Sequence, residues 1–209
     1  MANLTYSTVK LRFKTPIDAA AARLLVNKWR QPVDGMATNT RDWLGYIYAN
    51  AGVIQKPEAD DEVFPCLHGY NVAGNLIGMN RDGCDLDVAL ETKWSSSVAA
   101  WGVIQETMFP DAQVLFYSEF EEGDRVTNDE AYRGKWQVEC DACEDNAART
   151  TATDILGEEN TAAVPASTVI EVAEATGAPV ANVDEAVDCL LDIDIYARPW
   201  DICDILSMD

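Results

Sequence analysis

The chain has 209 residues, 48% of them hydrophobic, with six tryptophans, so it has ample material for a core and is no disordered acidic tail. Its formal charge is −21, from 36 acidic and 15 basic side chains. A field of that sign repels phosphate backbones and draws basic protein surfaces, which argues against direct nucleic-acid binding. The plain alternative is that the charge serves solubility or adaptation to high salt.

The charge is unevenly placed. Residues 1–50 carry seven bases against three acids, residues 51–138 six against sixteen, and residues 139–209 two against seventeen. No run of about 18 apolar residues occurs, so no membrane-spanning helix is expected. Met1 to Tyr6 lacks the basic and apolar regions of a signal peptide. The expected compartment is therefore the cytoplasm, with the six cysteines as reduced thiols.

Taken in order, Thr5 to Lys14 alternates as a strand with one wet, basic face carrying Lys10, Arg12 and Lys14. Thr15-Pro16-Ile17-Asp18 starts a helix with cap, N1 proline and first-turn acid. Its expected apolar stripe is Ile17, Ala20, Ala21, Leu24, Leu25 and Trp29. A second helix is expected from about Asn39 to Asn50, ended near Gly52. Pro57 to Glu62 reads as an acidic loop. Cys66 to Met79 reads as a strand broken at Gly69 and at Ala73-Gly74-Asn75, and so as a candidate hairpin. Asn80-Arg81-Asp82-Gly83 reads as a turn into the alternating strand Cys84 to Thr92. Ser97 is expected to cap a helix carrying Val98, Trp101, Ile104 and Met108, which Pro110 ends. Gln113 to Phe120 and Ala131 to Glu139 read as two further strands around an acidic turn.

The resulting order, β-α-(α)-β-β-α-β-β, predicts an α+β fold: a ferredoxin-like, mostly antiparallel sheet with helices on one face. That domain is expected to span 1–140. Residues 141–163, acidic and rich in alanine and threonine, read as a linker, and 164–209 as a small acidic C-terminal helical region. There, Ser167 to Ala175 and Val183 to Leu191 have the outline of a helix-turn-helix. The second helix offers Asp184, Glu185, Asp188 and Asp192 where a DNA reader needs bases, and no Lys or Arg lies between Arg149 and Arg198. A helical hairpin that caps the sheet, or one whose acids meet a basic partner, fits those residues better.

Three constellations bear on catalysis. Cys140-Asp141-Ala142-Cys143 has the spacing of half a zinc knuckle or a redox pair, but its acidic neighbours would raise the thiol pKa. Cys66 and His68, the latter the only histidine, would have to complete a zinc set with Cys140 and Cys143; small core residues or free thiols explain these positions better. Asp85, Asp87 and Glu91 share one strand face, where a divalent cation could sit, yet strict alternation explains them as the solvent face. No phosphate-binding glycine loop and no nucleophile with an attendant base is present. The expectation is a non-enzyme without cofactor or metal.

Lys93-Trp94, then Phe109-Pro110-Asp111 after a helix, then Tyr117, Glu119 and Gly123, then Gly134 and Trp136, resemble the YubB-type ferredoxin-like domain family of bacterial plasmids and phages. Where that family has a double proline soon after the tryptophan, this chain has Ser95-Ser96-Ser97. The resemblance implies a mobile-element accessory protein in a host bacterial cell, and it brings no catalytic residues with it.

Together these readings predict an acidic mobile-element protein that inhibits a host nucleic-acid-binding complex of CRISPR or restriction type. Its carboxylates would occupy the complex's basic groove in place of nucleic acid. The residues expected to meet that partner are Glu119, Glu121, Glu122 and Asp124 at the hairpin turn, with Asp184, Glu185, Asp188, Asp192 and Asp194 near the C-terminus. The alternative expectation is a phage or plasmid adaptor that binds another protein through its C-terminal helices.

Overall fold

A computed structural model describes residues 3–36, 42–54, 66, 67, 69–140, 147–157 and 161–208. The chain divides into two units. Unit 1 takes in Met1–Glu122, Val126–Asn128 and Cys203–Asp209, and unit 2 takes in Gly123–Arg125 and Asp129–Ile202. In chain order the elements are β1 (Leu4–Arg12), α1 (Pro16–Trp29), α2 (Leu44–Asn50), β2 (Cys66–Leu67), β3 (Tyr70–Asn71), β4 (Gly74–Asp82), β5 (Asp85–Lys93), α3 (Val98–Met108) and β6 (Gln113–Phe120). They continue as β7 (Arg125–Thr127), β8 (Lys135–Cys140), α4 (Ala147–Leu156), β9 (Thr161–Pro165), α5 (Ala166–Ala175), α6 (Val183–Leu191), β10 (Ile195–Pro199) and β11 (Asp201–Ile202). The fold is α+β, with a mixed six-stranded sheet in the order β11-β7-β6-β1-β5-β4 and a three-stranded sheet in the order β10-β8-β9.

In unit 1, β1 lies between β5 and β6 and is antiparallel to both, while β4 pairs antiparallel with β5. Alternation decides what each face holds. Val9, Leu11 and Phe13 turn inward with Leu86, Val88, Leu90 and Phe116, and join Val98, Trp101 and Ile104 of α3 in one core. α1 begins as its sequence predicts, with the Thr15 hydroxyl accepting from the Asp18 N–H at 3.2 Å and proline in the first turn. Its buried face differs from the expected stripe: Ala19, Ala22, Val26 and Trp29 are buried, whereas Ile17 is 79% and Leu24 66% exposed. Two alanines on the inner face let the helix backbone approach β5, and that close packing outweighs burying the larger side chains.

Local chemistry shifted several other boundaries. α2 begins at Leu44, after Trp43, whose indole N–H donates to the Val72 carbonyl at 2.6 Å. The residues 37–41 lie outside the described ones, so the expected start near Asn39 falls there. The β4–β5 turn sits at Gly83-Cys84 and not at Asn80–Gly83, because Asp82 still pairs with Asp85 and Gly83 supplies a φ of 53°. Ser97 precedes α3 without capping it. Its hydroxyl donates to the Asn71 carbonyl at 2.6 Å and meets the Tyr48 hydroxyl at 2.7 Å, while Ser96 Oγ accepts from the Val98 N–H. Glu130–Tyr132 is a 3-10 turn, so the strand expected from Ala131 starts at Lys135.

Unit 2 corrects the expected domain boundaries. β8 was expected in the large sheet; it is instead the middle strand of the second one, paired with β10 and β9. Its Val138 is buried with Ile195 and Ala197 of β10, Val169 and Val172 of α5, and Ala186 and Leu190 of α6. Alternation fixes which face of a strand is apolar but not which strands it joins. The span 141–163 is likewise no linker throughout, because α4 and most of β9 fall within it; residues 141–146 and 158–160 lie outside the described ones. The buried contact of α4 is Ala152, too small to mark a period in the sequence. The continuous part of unit 1 ends at Glu122, short of 140, and Val126–Asn128 and Cys203–Asp209 also belong to it, Ile205 lying beside Gly102 of α3.

Gly74 shows how tightly β4 meets β5. A Cβ there would collide with the Glu91 carbonyl oxygen and the Thr92 backbone, whereas at Gly78 the nearest atom, Ala89 Cβ, is an ordinary 3.6 Å away. Gly74→Ala should cost about 1–3 kcal/mol in urea unfolding and Gly78→Ala much less; equal costs would contradict this packing.

Candidate partner-binding surface

α6 is built from its ends inward. Asn182 caps it, its Oδ1 accepting from the Glu185 N–H at 3.0 Å. Glu185 returns the bond: its carboxylate accepts from Asn182 Nδ2 at 3.0 Å and from the Ala181 N–H at 2.9 Å. This is a reciprocal cap, and it gives Glu185 to the helix start. Ala186 and Leu190 face the core. Asp184, Asp188 and Asp192 recur at four-residue spacing on the exposed side, and exposed Asp194 follows with a left-handed φ of 59°.

The field of the helix divides these acids. Asp184 and Glu185 stand in the first turn, where the helix dipole favours them; Asp188 and the C-cap residue Asp192 stand where it does not, with no base in that last turn. Exposed Glu171 and Glu174 of α5 add to the same unit. Unit 2 holds eighteen acidic side chains against five basic ones, and unit 1 eighteen against ten. The excess is therefore greater in unit 2, the smaller of the two.

The hairpin-turn acids behave differently. Glu121 accepts from the Leu4 N–H at 2.7 Å, and Glu122 accepts from Asn3 Nδ2 at 3.0 Å, so both hold the start of β1. Glu119 stands opposite Tyr6 in the β1–β6 register. These three belong to unit 1, while Asp124 and the α6 acids belong to unit 2. The expected residues thus form two groups in different units, and Glu121, Glu122 and Glu185 already hold the start of β1 or cap α6.

On the outer face of the large sheet, two of the three carboxylates that share a strand face, Asp85 and Asp87, are ion-paired. Arg12 donates two bonds of 2.9 Å to Asp85, and Lys10 stands 3.9 Å from Asp85 and 3.8 Å from Asp87. The Arg12 hydrogen bond, opposed in part by desolvation, holds the Asp85 carboxyl below its ordinary range. Partial desolvation, then the Glu91 and Glu121 charges and a hydrogen bond to Glu91, push the Tyr6 phenol up. Among the described residues no group of three or more His, Cys, Asp or Glu side chains could hold a metal. His68 and Cys143 lie outside the described residues, as does the side chain of Cys66. Cys140 is half-buried, and burial raises its thiol pKa more than Arg149 lowers it, the reverse of an activated thiolate.

One residue that pattern reading passed over is Trp94. It has a left-handed φ of 69° and is 57% exposed. Beyond its place in the family resemblance, its sequence signal is position: the alternation of β5 would turn it inward, and the chain bends there instead. No helix of the described residues is long and apolar enough to cross a membrane. No family model, curated protein or solved structure matches the chain.

The Asp85 pairing has a testable pH dependence. Its folded pKa lies below the unfolded value near 3.9, so the pairing stabilises above that pH and the contribution is lost as pH falls through the folded value. Asp85→Asn should cost on the order of 0.5–1 kcal/mol at pH 7, with the gap to wild type closing below about pH 4. A gap that stays constant with pH would contradict the pairing.

Proposed function

We propose that this chain is a non-catalytic acidic decoy. In this reading the outward carboxylates of α6 stand in for nucleic-acid phosphate and occupy the basic groove of a host nucleic-acid-binding defence complex, of CRISPR or restriction type. The observation that carries it is the run Asp184, Asp188, Asp192 and Asp194: all exposed, the first three four residues apart along a packed helix and its C-cap, and none with a basic partner among the described residues. Rigid display matters, because a charge already held in place loses less freedom on binding. Long-range attraction would speed encounter and make it sensitive to salt.

The mobile-element setting is supported by the YubB-type resemblance, which now falls across two units: Lys93-Trp94 through Glu119 lie in unit 1, and Gly123, Gly134 and Trp136 in unit 2. A ferredoxin-like assignment for unit 1 is supported by the antiparallel order β6-β1-β5-β4 of its β-α-β-β-α-β strands. The adaptor alternative has less to draw on. Val169, Val172, Ala186 and Leu190 are used in unit 2's own core, and Leu191 is the one large apolar side chain of α5 and α6 counted as exposed.

The test is DNA cleavage by a panel of restriction endonucleases and CRISPR effector complexes, with and without the protein, over a salt series. At least one enzyme should be inhibited, the inhibition should fall steeply as salt rises, and lysine at 184, 188, 192 and 194 should abolish it while the chain stays folded by circular dichroism. Inhibition that survives the fourfold reversal would eliminate the decoy reading. Inhibition indifferent to salt would favour the adaptor.

A further inference from the structure

The turn after β5 is held in place by an unusual number of bonds. Asn71, 3% exposed, donates its two amide N–H groups to the Lys93 carbonyl at 2.8 Å and the Ser95 carbonyl at 2.7 Å, with Ser95 Oγ a further 3.1 Å contact of the same nitrogen. The same side chain accepts from the Ala73 N–H at 2.9 Å. The Thr92 hydroxyl donates to the Ser95 carbonyl at 2.7 Å, the Ser95 N–H to the Lys93 carbonyl at 2.9 Å, and the Trp94 N–H to the Asn3 carbonyl at 2.7 Å. The bond across three residues, with φ positive at the middle one, makes a γ-turn centred on Trp94. Glycine would occupy that conformation without strain; a bulky aromatic there is a genuine outlier, held only because its surroundings over-determine it. The bonds hold the strained backbone, and the indole they position is more than half exposed.

The surroundings of the turn are anionic. Asn3, which accepts from the Trp94 N–H, donates to Glu122, and Leu4, opposite Lys93 in the β1–β5 register, donates to Glu121. Glu91 lies on the wall of a neighbouring groove of about 200 Å³, together with Leu4, Trp43 and Lys93. Three carboxylates thus accompany one ammonium at this end of the sheet. An exposed indole at the same end of the sheet as these acids suits a planar cation: a guanidinium stacks on the ring, and the negative field of the acids favours its charge. An ammonium stacks less well, and a nucleobase would bring phosphates that the acids repel.

We infer that Trp94 is the contact at which this protein takes an arginine side chain of its partner. This rests on the decoy reading and names a second point of engagement, in unit 1, of a different kind from the α6 carboxylates. The probes are nona-arginine and nona-lysine peptides, titrated against the full chain at fixed ionic strength. The wild type should bind both and prefer the arginine peptide, and Trp94→Ala should reduce that preference by about two- to fivefold, with Trp94→Phe keeping part of it. Lysine at 184, 188, 192 and 194 should weaken both peptides by a similar factor and leave the preference in place.

Melting of the variants tests the strained backbone. Trp94→Gly should melt higher than Trp94→Ala, because only glycine relieves the left-handed backbone, although both lose the preference. An arginine preference that is unchanged in Trp94→Ala, with salt-sensitive binding of both peptides kept, would overturn this inference and leave the decoy reading standing. If neither peptide binds the wild type, both fall. Should Trp94→Gly melt below Trp94→Ala, the backbone at 94 would not carry the strain that singles the residue out, and the inference would fail on that ground.

Discussion

Unit 1 depends on strand β1, which runs antiparallel between β5 and β6 and has a side-chain period of two. Its inward residues Val9 and Leu11 have no exposed surface and join α1, α2 and α3 to the sheet. Its outward residues include Lys10 and Arg12, which meet Asp85 and Asp87 across the strand pair. One strand therefore sets the core on one side and neutralises carboxylates on the other. A slip of a single residue would exchange the two faces and leave both bases and apolar side chains misplaced.

That neutralisation gives the charge distribution its form. Many acids of unit 1 already have work in the fold: Asp85 and Asp87 with the bases of β1, Glu121 and Glu122 with the chain start, Asp111 with Lys14 at 2.6 Å. In unit 2 the acids of α6 divide. Glu185 completes the cap, whereas Asp188 and Asp192 sit at the end of the helix that disfavours them and repel one another across four residues. A placement that works against its own helix is what the proposed partner contact calls for. Trp94 follows the same logic in unit 1, with strain in place of repulsion.

How much of this was legible beforehand varied with the kind of interaction. Thr15-Pro16-Ile17-Asp18 announced the start of α1, and Val183 to Leu191 announced α6, because caps and periods are local and leave residue types behind. β8 was readable as a strand but not as a member of a second sheet, since pairing partners far apart in the chain leave no mark on either. The helix α4 was missed because its buried contact is an alanine among threonines and alanines. On the surface, the letters Glu121 and Asp188 look alike. Only a bond to the Leu4 N–H distinguishes an acid that holds the fold from one that stands outside it. Trp94 entered the sequence reading only through the family resemblance and not as a candidate contact, because a backbone angle, not a residue pattern, sets it apart.

The most direct measurement is urea unfolding of the full chain and of Asp188→Asn/Asp192→Asn, at low salt and at 1 M salt. If these acids are displayed at their helix's expense, the neutralised variant will be more stable by about 0.5–1 kcal/mol at low salt, and the gain will shrink toward zero at high salt as screening removes the repulsion. A neutralised variant that is less stable than wild type at low salt would mean the two aspartates support α6 itself, and the outward reading of unit 2's charge would be wrong.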